Sequence, residues 1–421
     1  LVSSSIILKN QEIITITQFL ELYNEINKIN SDNILKLEFN LDCSVLERYG
    51  NSARICPIVE IAKPENAAEI AQIFRDVYHG TYPYKKMENA DSITKMIKDP
   101  TFYWFIFKVE QDEIVGAFGS HVEFEERRGQ FYGFVIKEGY HKLIDVFKAF
   151  LGCVIYLWKK HRKEILLWYG ETITSHNTTQ YFTNVIGMKP IAFFPNKDLF
   201  FNKKESDIFH VIYEQKILKS LRKKSQPILI RQVLNSYSYA NNRYNLGLPL
   251  IKNPDIKLDL SLLKELKEKI TFSTEELENN SMKVRFQILD SDSFFECVHN
   301  PYSKNLEKTS YKVNSIEELH VILNELLKLI KEWDLNYFEC FVSAYKPEYQ
   351  KIFYDFGFKP RGYVPSWKYN KSTHLFEDFI VFNFYKGEID ENIRIIPEVM
   401  NLLNVLNVFD QKYLETKTIR L

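Results

Sequence analysis

Residues Ile173 to Pro195 read ITSHNTTQYFTNVIGMKPIAFFP, and residues Val342 to Pro365 read VSAYKPEYQKIFYDFGFKPRGYVP. Each stretch has the pattern of a strand end, a short helix, a glycine turn and a new strand. The turn glycines Gly187 and Gly357 coincide, as do Lys189-Pro190 and Lys359-Pro360. Both copies then pass through a polar turn into an apolar strand, Asp207 to Glu214 and Asp378 to Lys386. Two strands, a helix and a turn recurring at nearly the same spacing mark an internal repeat.

Working back from the first copy, Ile58 to Ile61 has strand character and Pro64 opens a helix through Ile70, Ile73, Phe74 and Val77. Asp91 or Ser92 caps a second helix that Asp99-Pro100 stops. Phe102 to Val109, Ile114 to Phe124 and Gly129 to Lys137 form an antiparallel meander, with turns at Gln111-Asp112 and at Glu125 to Arg128. A long helix, Ile144 to Lys160, and a strand, Ile165 to Ile173, complete the approach. The order βααβββαβαββ combines a meander with helical crossovers, and so predicts an α/β protein with one mixed, twisted sheet covered by helices.

The second copy is preceded by strands at Lys283 to Leu289, Phe294 to His299 and Thr309 to Val313, a helix Ser315 to Trp333 and a strand Tyr337 to Ser343. Leu260 to Leu277 has mostly helical character, so this copy is expected to lack the first strand and its helices. The N-terminal strand Ser5 to Leu8 and helix Thr17 to Ile29 are the expected substitutes. The expected division is an extension over 1–56, a full domain over 57–225, a connector over 226–281, a shortened copy over 282–390, and a tail over 391–421 with a helix from Ile393 to Leu406.

The bulk numbers agree with a large globular chain. Its 421 residues exceed one ordinary core, and 32 Phe and 25 Tyr exclude disorder. Fifty-five basic and 55 acidic residues cancel, so no global field draws in a nucleic acid, with Lys216 to Lys224 the local exception. Cys43, Cys56, Cys153, Cys297 and Cys340 have no CxxC spacing, and the histidines no HxxxH, so neither zinc nor a redox pair is expected. Phe147 to Trp158, the most apolar stretch, is shorter than the roughly 18 residues of a spanning helix. No basic and apolar leader pattern appears at the N-terminus, and the expected compartment is the cytoplasm. The stripe from Glu317 to Ile330 suits core packing over a partner groove, Gln226 to Asp259 an ordered connector, and Asn242 to Gly247 within it either docking between the two copies or reaching a site.

Asn177 followed by Gly187-Met188-Lys189-Pro190, and the closer Phe356-Gly357-Phe358-Lys359-Pro360, resemble the segment of the GNAT superfamily of acyl-CoA-dependent N-acyltransferases in which a helix ends at a Gly-Phe turn before the sixth strand. With the element order, the resemblance covers about 57–215 well and 282–386 in part. It implies that the fourth and fifth strands splay and that the pantetheine of acetyl-CoA, or another acyl-CoA, pairs with exposed backbone at Phe134, Val135 and Ile136. It places the diphosphate at the start of the long helix, where unpaired N–H groups receive the anion. There the sequence departs from the family's glycine-rich loop, reading Gly139-Tyr140-His141-Lys142-Leu143-Ile144-Asp145. His141 and Lys142 supply positive charge, the N–H groups of Leu143 to Val146, Ile144 among them, are expected to point outward, and Asp145 opposes the phosphates. Asn177 is carried over as a further cofactor contact.

The family's acid, a tyrosine four residues before the turn glycine, is replaced by Thr183 and by Phe353. Tyr181 is the candidate acid, set against a packing role. An amine nucleophile needs a base on the central strands, and Glu171 with His121 is the candidate pair, set against solvated or core roles. Strict alternation puts His121, Glu123 and Glu125 on one face. Tyr82 and Tyr84 fall in the loop that covers the acceptor in that family, and either stack on substrate or lid the core. The resemblance thus implies acetyl transfer to a small-molecule or peptide amine by direct attack, with no metal, nucleic acid or membrane and with a homodimer allowed. The alternative is a non-catalytic GNAT-like scaffold or ligand-binding protein that has lost the pyrophosphate loop.

Overall fold

A computed structural model describes residues 15–20, 54–55, 57–109 and 113–409. The chain divides into two compact units: residues 1–171, 178–189 and 210–219, and residues 172–177, 190–209 and 220–421. The expected strand at Ser5 to Leu8 and most of the helix after Thr17 lie outside the described residues.

The first unit follows the expected order: β1 (Ile58–Ile61), α1 (Ala67–Tyr78), α2 (Ala90–Lys98), β2 (Phe102–Lys108), β3 (Ile114–Glu123), β4 (Arg128–Ile136), α3 (Val146–Lys160), β5 (Leu167–Ile173) and α4 (Thr178–Val185). The chain then forms β6 (Lys189–Phe200), which belongs to the second unit from Pro190, and β7 (Lys203–Tyr213), which returns to the first at His210. β1 to β4 are an antiparallel meander, and β5 runs parallel to β4. The N-cap of α2 is Asn89, whose side chain accepts from the N–H of Ser92 at 2.9 Å, two residues ahead of the expected Asp91 and three ahead of Ser92.

Both faces of this sheet are covered, which is why β2 is an unbroken apolar run, FYWFIFK, without alternation. On one face α1 and α2 press Ile70, Ile73, Phe74, Ile93 and Met96 against Trp104, Ile106 and Val135. On the other, α3 packs Phe147, Phe150, Leu151 and Val154 against Phe105, Phe107, Phe118 and Phe131. Every residue of α3 from Ala149 to Trp158 is buried, because residues 16–20 lie on its outer side, Phe19 edge-on to Trp158 at 5.4 Å. Thr15 bridges Tyr213 and Thr17 donates to Glu214. The described part of the N-terminal segment therefore completes the first unit's core, not the second copy.

The second unit carries a connector of β8 (Ile228–Leu229), α5 (Leu234–Tyr244) and β9 (Leu250–Ile251). There follow α6 (Leu260–Lys269), β10 (Ile270–Glu276), β11 (Met282–Ile288), β12 (Phe294–Asn300), β13 (Asn305–Lys312), α7 (Ile316–Glu332), β14 (Tyr337–Ser343), α8 (Pro347–Asp355), β15 (Lys359–Asn370), β16 (Leu375–Tyr385) and α9 (Pro397–Val405). Its strands run β10-β11-β12-β13-β14-β16-β15, with β13 and β14 parallel. The expectation of one helix over Leu260 to Leu277 is corrected: the helix ends at Lys269 and a strand follows. The second unit therefore has the first strand thought missing. What it lacks are helices between that strand and the next, since only residues 277–281 join β10 to β11. One face of β11 is accordingly polar, with Lys283 and Arg285 paired to Glu296 at 3.2 and 3.0 Å, while Val284, Phe286 and Ile288 are buried on the other.

The repeated turn is the same in both units. Gly187 has φ 87° and Gly357 φ 90°. Met188 N–H donates to Thr183 C=O at 2.9 Å, and Phe358 N–H to Phe353 C=O at 3.1 Å. Left-handed glycine with this back-bond satisfies the last carbonyls of each helix and sends the chain into a strand. In the second unit β15 meets β6 at Gly362 and Ala192, where a Cβ on Gly362 would lie 2.2 Å from that of Ala192. Among the described residues no helix is long and apolar enough to cross a membrane, and no group of His, Cys, Asp and Glu is disposed to hold a metal.

Candidate functional site

In the first unit β4 and β5 pair from Arg128–Leu167 to Phe131–Gly170 and no further. Beyond that point Tyr132 to Ile136 keep β3 on one side and, among the described residues, pair with no strand on the other. A register shift between Ala117 and Gly119 marks a bulge on β4, where Gly133 takes φ 62°. The extra residue bends the strand and re-aims its groups. Phe134, Val135 and Ile136 thus lie on the stretch of β4 beyond its pairing with β5. The Val135 and Ile136 side chains are in the core.

The opening is lined by phenylalanine. Phe134 of β4 lies 5.7 Å from Phe150 of α3 and 6.4 Å from Phe182 of α4, centroid to centroid. Phe182 in turn meets Phe147 at 5.1 Å and stacks on Phe150 at 6.0 Å. The four rings form one aromatic cluster on the α3 side of β4.

The phosphate end differs from expectation. Leu143 and Ile144 N–H both donate to Tyr140 C=O at 3.0 and 3.1 Å, Asp145 N–H to Ile55 C=O at 2.8 Å, and Val146 N–H to Ile144 C=O at 3.0 Å. Ile55 N–H also donates to Leu143 C=O, so residues 54–55 lie alongside this turn as a short parallel bridge. The Asp145 carboxylate caps α3 by accepting from Lys148 N–H at 3.1 Å. The N–H groups expected to point outward are therefore used within the chain, and a buried carboxylate occupies the positive end of the helix. His141 and Lys142 remain exposed there. Partial burial lowers the His141 pKa, against an opposing pull from Glu138. Asn177 is exposed immediately before α4 and falls in the second unit.

On the α1 side of the sheet the strand registers collect a polar group. His121 faces Gln130, and Gln130 faces Tyr169; Glu123 faces Arg128. Residues directly opposite share a face, and so do residues two apart. His121, Glu123, Arg128, Gln130, Tyr169 and Glu171 therefore occupy one face. Arg128 grips Glu123 through Nη2 at 2.7 Å and Nε at 3.0 Å, and Tyr169 Oη donates to its other oxygen at 2.8 Å. Burial pushes the Glu123 pKa up, but the charge and hydrogen bonds of Arg128 and the Tyr169 hydroxyl outweigh it, holding the carboxyl below its ordinary range. Burial, then Glu123, push the Tyr169 phenol well up, so it stays protonated as a donor. The His121 ring stacks on Phe102 at 4.2 Å. Sequence reasoning found His121, Glu123 and Glu171 but missed Arg128 and Tyr169. The signal for Arg128 was the Glu125 to Arg128 turn, which sets it opposite Glu123.

The tyrosine loop packs against α1. Tyr82 packs on Phe74 at 5.0 Å and Tyr78 at 4.6 Å, with Tyr84 at 6.1 Å from Tyr82. Glu88 accepts from the N–H of Tyr82 and from Lys85, and Arg75 bonds its carbonyl, which fixes the loop. Tyr181 is half-buried on α4. At the position of the family's acid, Thr183 is buried, with Oγ1 donating to Gln180 C=O and 3.4 Å from His210 Nδ1.

No sequence family and no curated protein sequence matches the chain. Among solved structures it is similar to the ribosomal-protein-S5-alanine acetyltransferase from Vibrio fischeri, at 12% identity and TM-score 0.32, covering 37% of this chain and 92% of that one. It is also similar to the dodecameric spermidine N-acetyltransferase from Vibrio cholerae, at 12% identity and TM-score 0.34, covering 39% and 96%. At these scores the likeness says nothing about activity or acceptor.

Proposed function

We propose that the first unit is a GNAT-like acyltransferase module that moves an acetyl group from a pantetheine thioester, most simply acetyl-CoA, to a primary amine. The observation that carries this reading is the end of β4–β5 pairing at Phe131 and Gly170, next to the Gly133 bulge. An extended amide-bearing arm supplies the partner that Phe134, Val135 and Ile136 lack on that edge. The amine nitrogen attacks the thioester carbonyl, the N–C bond forms, the C–S bond breaks, and the amine proton leaves to a base while the thiolate takes one up. Glu171 and His121 are assigned the proton removal, Tyr181 the return of a proton, and Tyr82 and Tyr84 the acceptor side. Glu123, already ionised and gripped by Arg128, supplies negative charge rather than a proton shuttle. With the N–H groups of Leu143 to Val146 in use, the side chains of His141 and Lys142 are assigned to the phosphates. On this reading the second unit is a degenerate further copy, and the protein works in the cytoplasm.

The test is acetyl-CoA with a panel of amines (polyamine, free lysine, aminoglycoside, peptide N-terminus), following thiol release and the acetylated product by mass. Turnover that a Glu171→Gln variant loses supports the assignment; no thiol release with any amine removes it. A second reading, a GNAT-like scaffold without turnover, is favoured by the internal use of the N–H groups of Leu143 to Val146 and by the phenylalanine-lined gap. A ligand at 100 times its dissociation constant stabilises by roughly 2.7 kcal/mol. An unchanged melting temperature in millimolar CoA therefore supports the scaffold.

A further inference from the structure

We infer that the outer edge of β10 pairs two copies of this chain, antiparallel about a two-fold axis through Ser273. Among the described residues β10 is the last strand of the second unit's sheet and pairs only with β11. Thr271 to Glu276 are all exposed, and Phe272 is 49% exposed. The strand carries no Pro and no Lys, keeps an unbroken seven-residue register from Ile270–Ile288 to Glu276–Met282, and has its charges confined to one end, at Glu275 and Glu276. The first unit's edge strand β1, by contrast, is four residues long.

The direction of its backbone groups follows from two bonds. Leu289 N–H donates to Lys269 C=O at 2.9 Å, and Leu277 N–H to Ser281 C=O at 2.8 Å. Groups aimed at a neighbour alternate along an antiparallel strand. Thr271, Ser273 and Glu275 therefore face β11, and Ile270, Phe272, Thr274 and Glu276 turn their N–H and C=O outward. A second β10 laid antiparallel with Ser273 on the axis matches this parity. Phe272 then forms a hydrogen-bonded pair with the partner's Thr274, and Ile270 with the partner's Glu276. Ser273 meets the partner's Ser273 in a non-hydrogen-bonded pair, about 4.5 Å between Cα atoms.

The side chains select this partner and direction. Glu275 lies opposite the partner's Thr271 and Glu276 opposite the partner's Ile270, so no like charges face each other. A parallel arrangement in register would stack both glutamates on themselves. The two Phe272 rings come diagonally together on one face, which covers the largest exposed apolar side chain of the strand.

The test uses the full chain. Sedimentation velocity across the micromolar range is expected to show a dimer. Ser273→Cys chains are expected to cross-link under mild oxidation, located by peptide mapping. Thr271→Cys and Glu275→Cys chains are not, because in this register each is displaced by four residues, about 14 Å, from its own copy in the partner. Thr274→Pro removes an outward N–H while leaving the β11 bonds, and is expected to give a monomer with unchanged circular dichroism and melting. A wild-type monomer at all concentrations, a dimer that survives Thr274→Pro, or equal cross-linking of all three cysteine variants overturns the proposal.

Discussion

Replacing Arg128 by Met tests the polar face of the first unit directly. The substitution keeps an apolar stem but leaves Glu123 with a single hydrogen bond, from Tyr169, among those that now hold it ionised. The side chains of Arg128 and Glu123 are 17% and 22% exposed. Exposed pairs contribute roughly 0–1 kcal/mol, whereas removing one partner of a buried pair costs roughly 3–5 kcal/mol. A mostly covered pair at a strand end falls between them, so the expected loss is about 2 kcal/mol at neutral pH. The sign with pH is definite. In the wild type the folded carboxyl titrates below its unfolded value of about 4.3, so its stabilisation is present above that value and fades as pH falls through the folded pKa. In the variant burial remains and the cation is gone, so the carboxyl titrates higher when folded, and acidification relieves the strain. The gap between the proteins therefore narrows as pH drops from 7.5 to 4.5. Urea unfolding followed by tryptophan fluorescence in a Trp333→Phe, Trp367→Phe background, which leaves Trp104, Trp158 and Trp168, reads the first unit, and a cycle with Glu123→Gln isolates the coupling. A loss below about 0.5 kcal/mol, or a gap independent of pH, refutes the argument.

Gly362→Ala forces a Cβ to 2.2 Å from that of Ala192 and is expected to destabilise the second unit by about 1–3 kcal/mol, recovered in part by Ala192→Gly in a denaturation series. Arg222 grips the fully buried Asp378, which also accepts from Ser366 N–H and Tyr363 Oη, so Arg222→Met is expected to cost about 3–5 kcal/mol by urea titration. Lys142→Glu is expected to abolish a CoA-induced melting shift and Asp145→Asn, which keeps the cap, to enlarge it. A shift that neither variant changes puts the phosphates elsewhere.

Much of this was legible because local chemistry repeats. Gly187 and Gly357 announced their turns, since only glycine enters the left-handed region without strain, and the two helices before them carry the same closing bond. The apolar run of β2 and the meander behind it were plain from hydrophobic pattern. β10 was not, because an exposed edge strand has no buried face to impose alternation, and Ile270 continues the apolar spacing of Leu263 and Leu266 in the helix before it. The helix start at Asp145 also misled: the pattern there leaves N–H groups open until Ile55, ninety residues upstream, closes one of them. Arg128 and Tyr169 acquired a role only when three strands brought them beside Glu123.

The sequence alone determined which segments are strands, helices and turns in the first unit, and that its final βαββ pattern occurs twice, because those properties depend on side-chain spacing within a few residues. The tertiary structure decided where β4 and β5 part, which N–H groups are already bonded, and which charges meet. Each of these is set by residues tens of positions apart, whose hydrogen bonds and burial exist only after the sheet has formed.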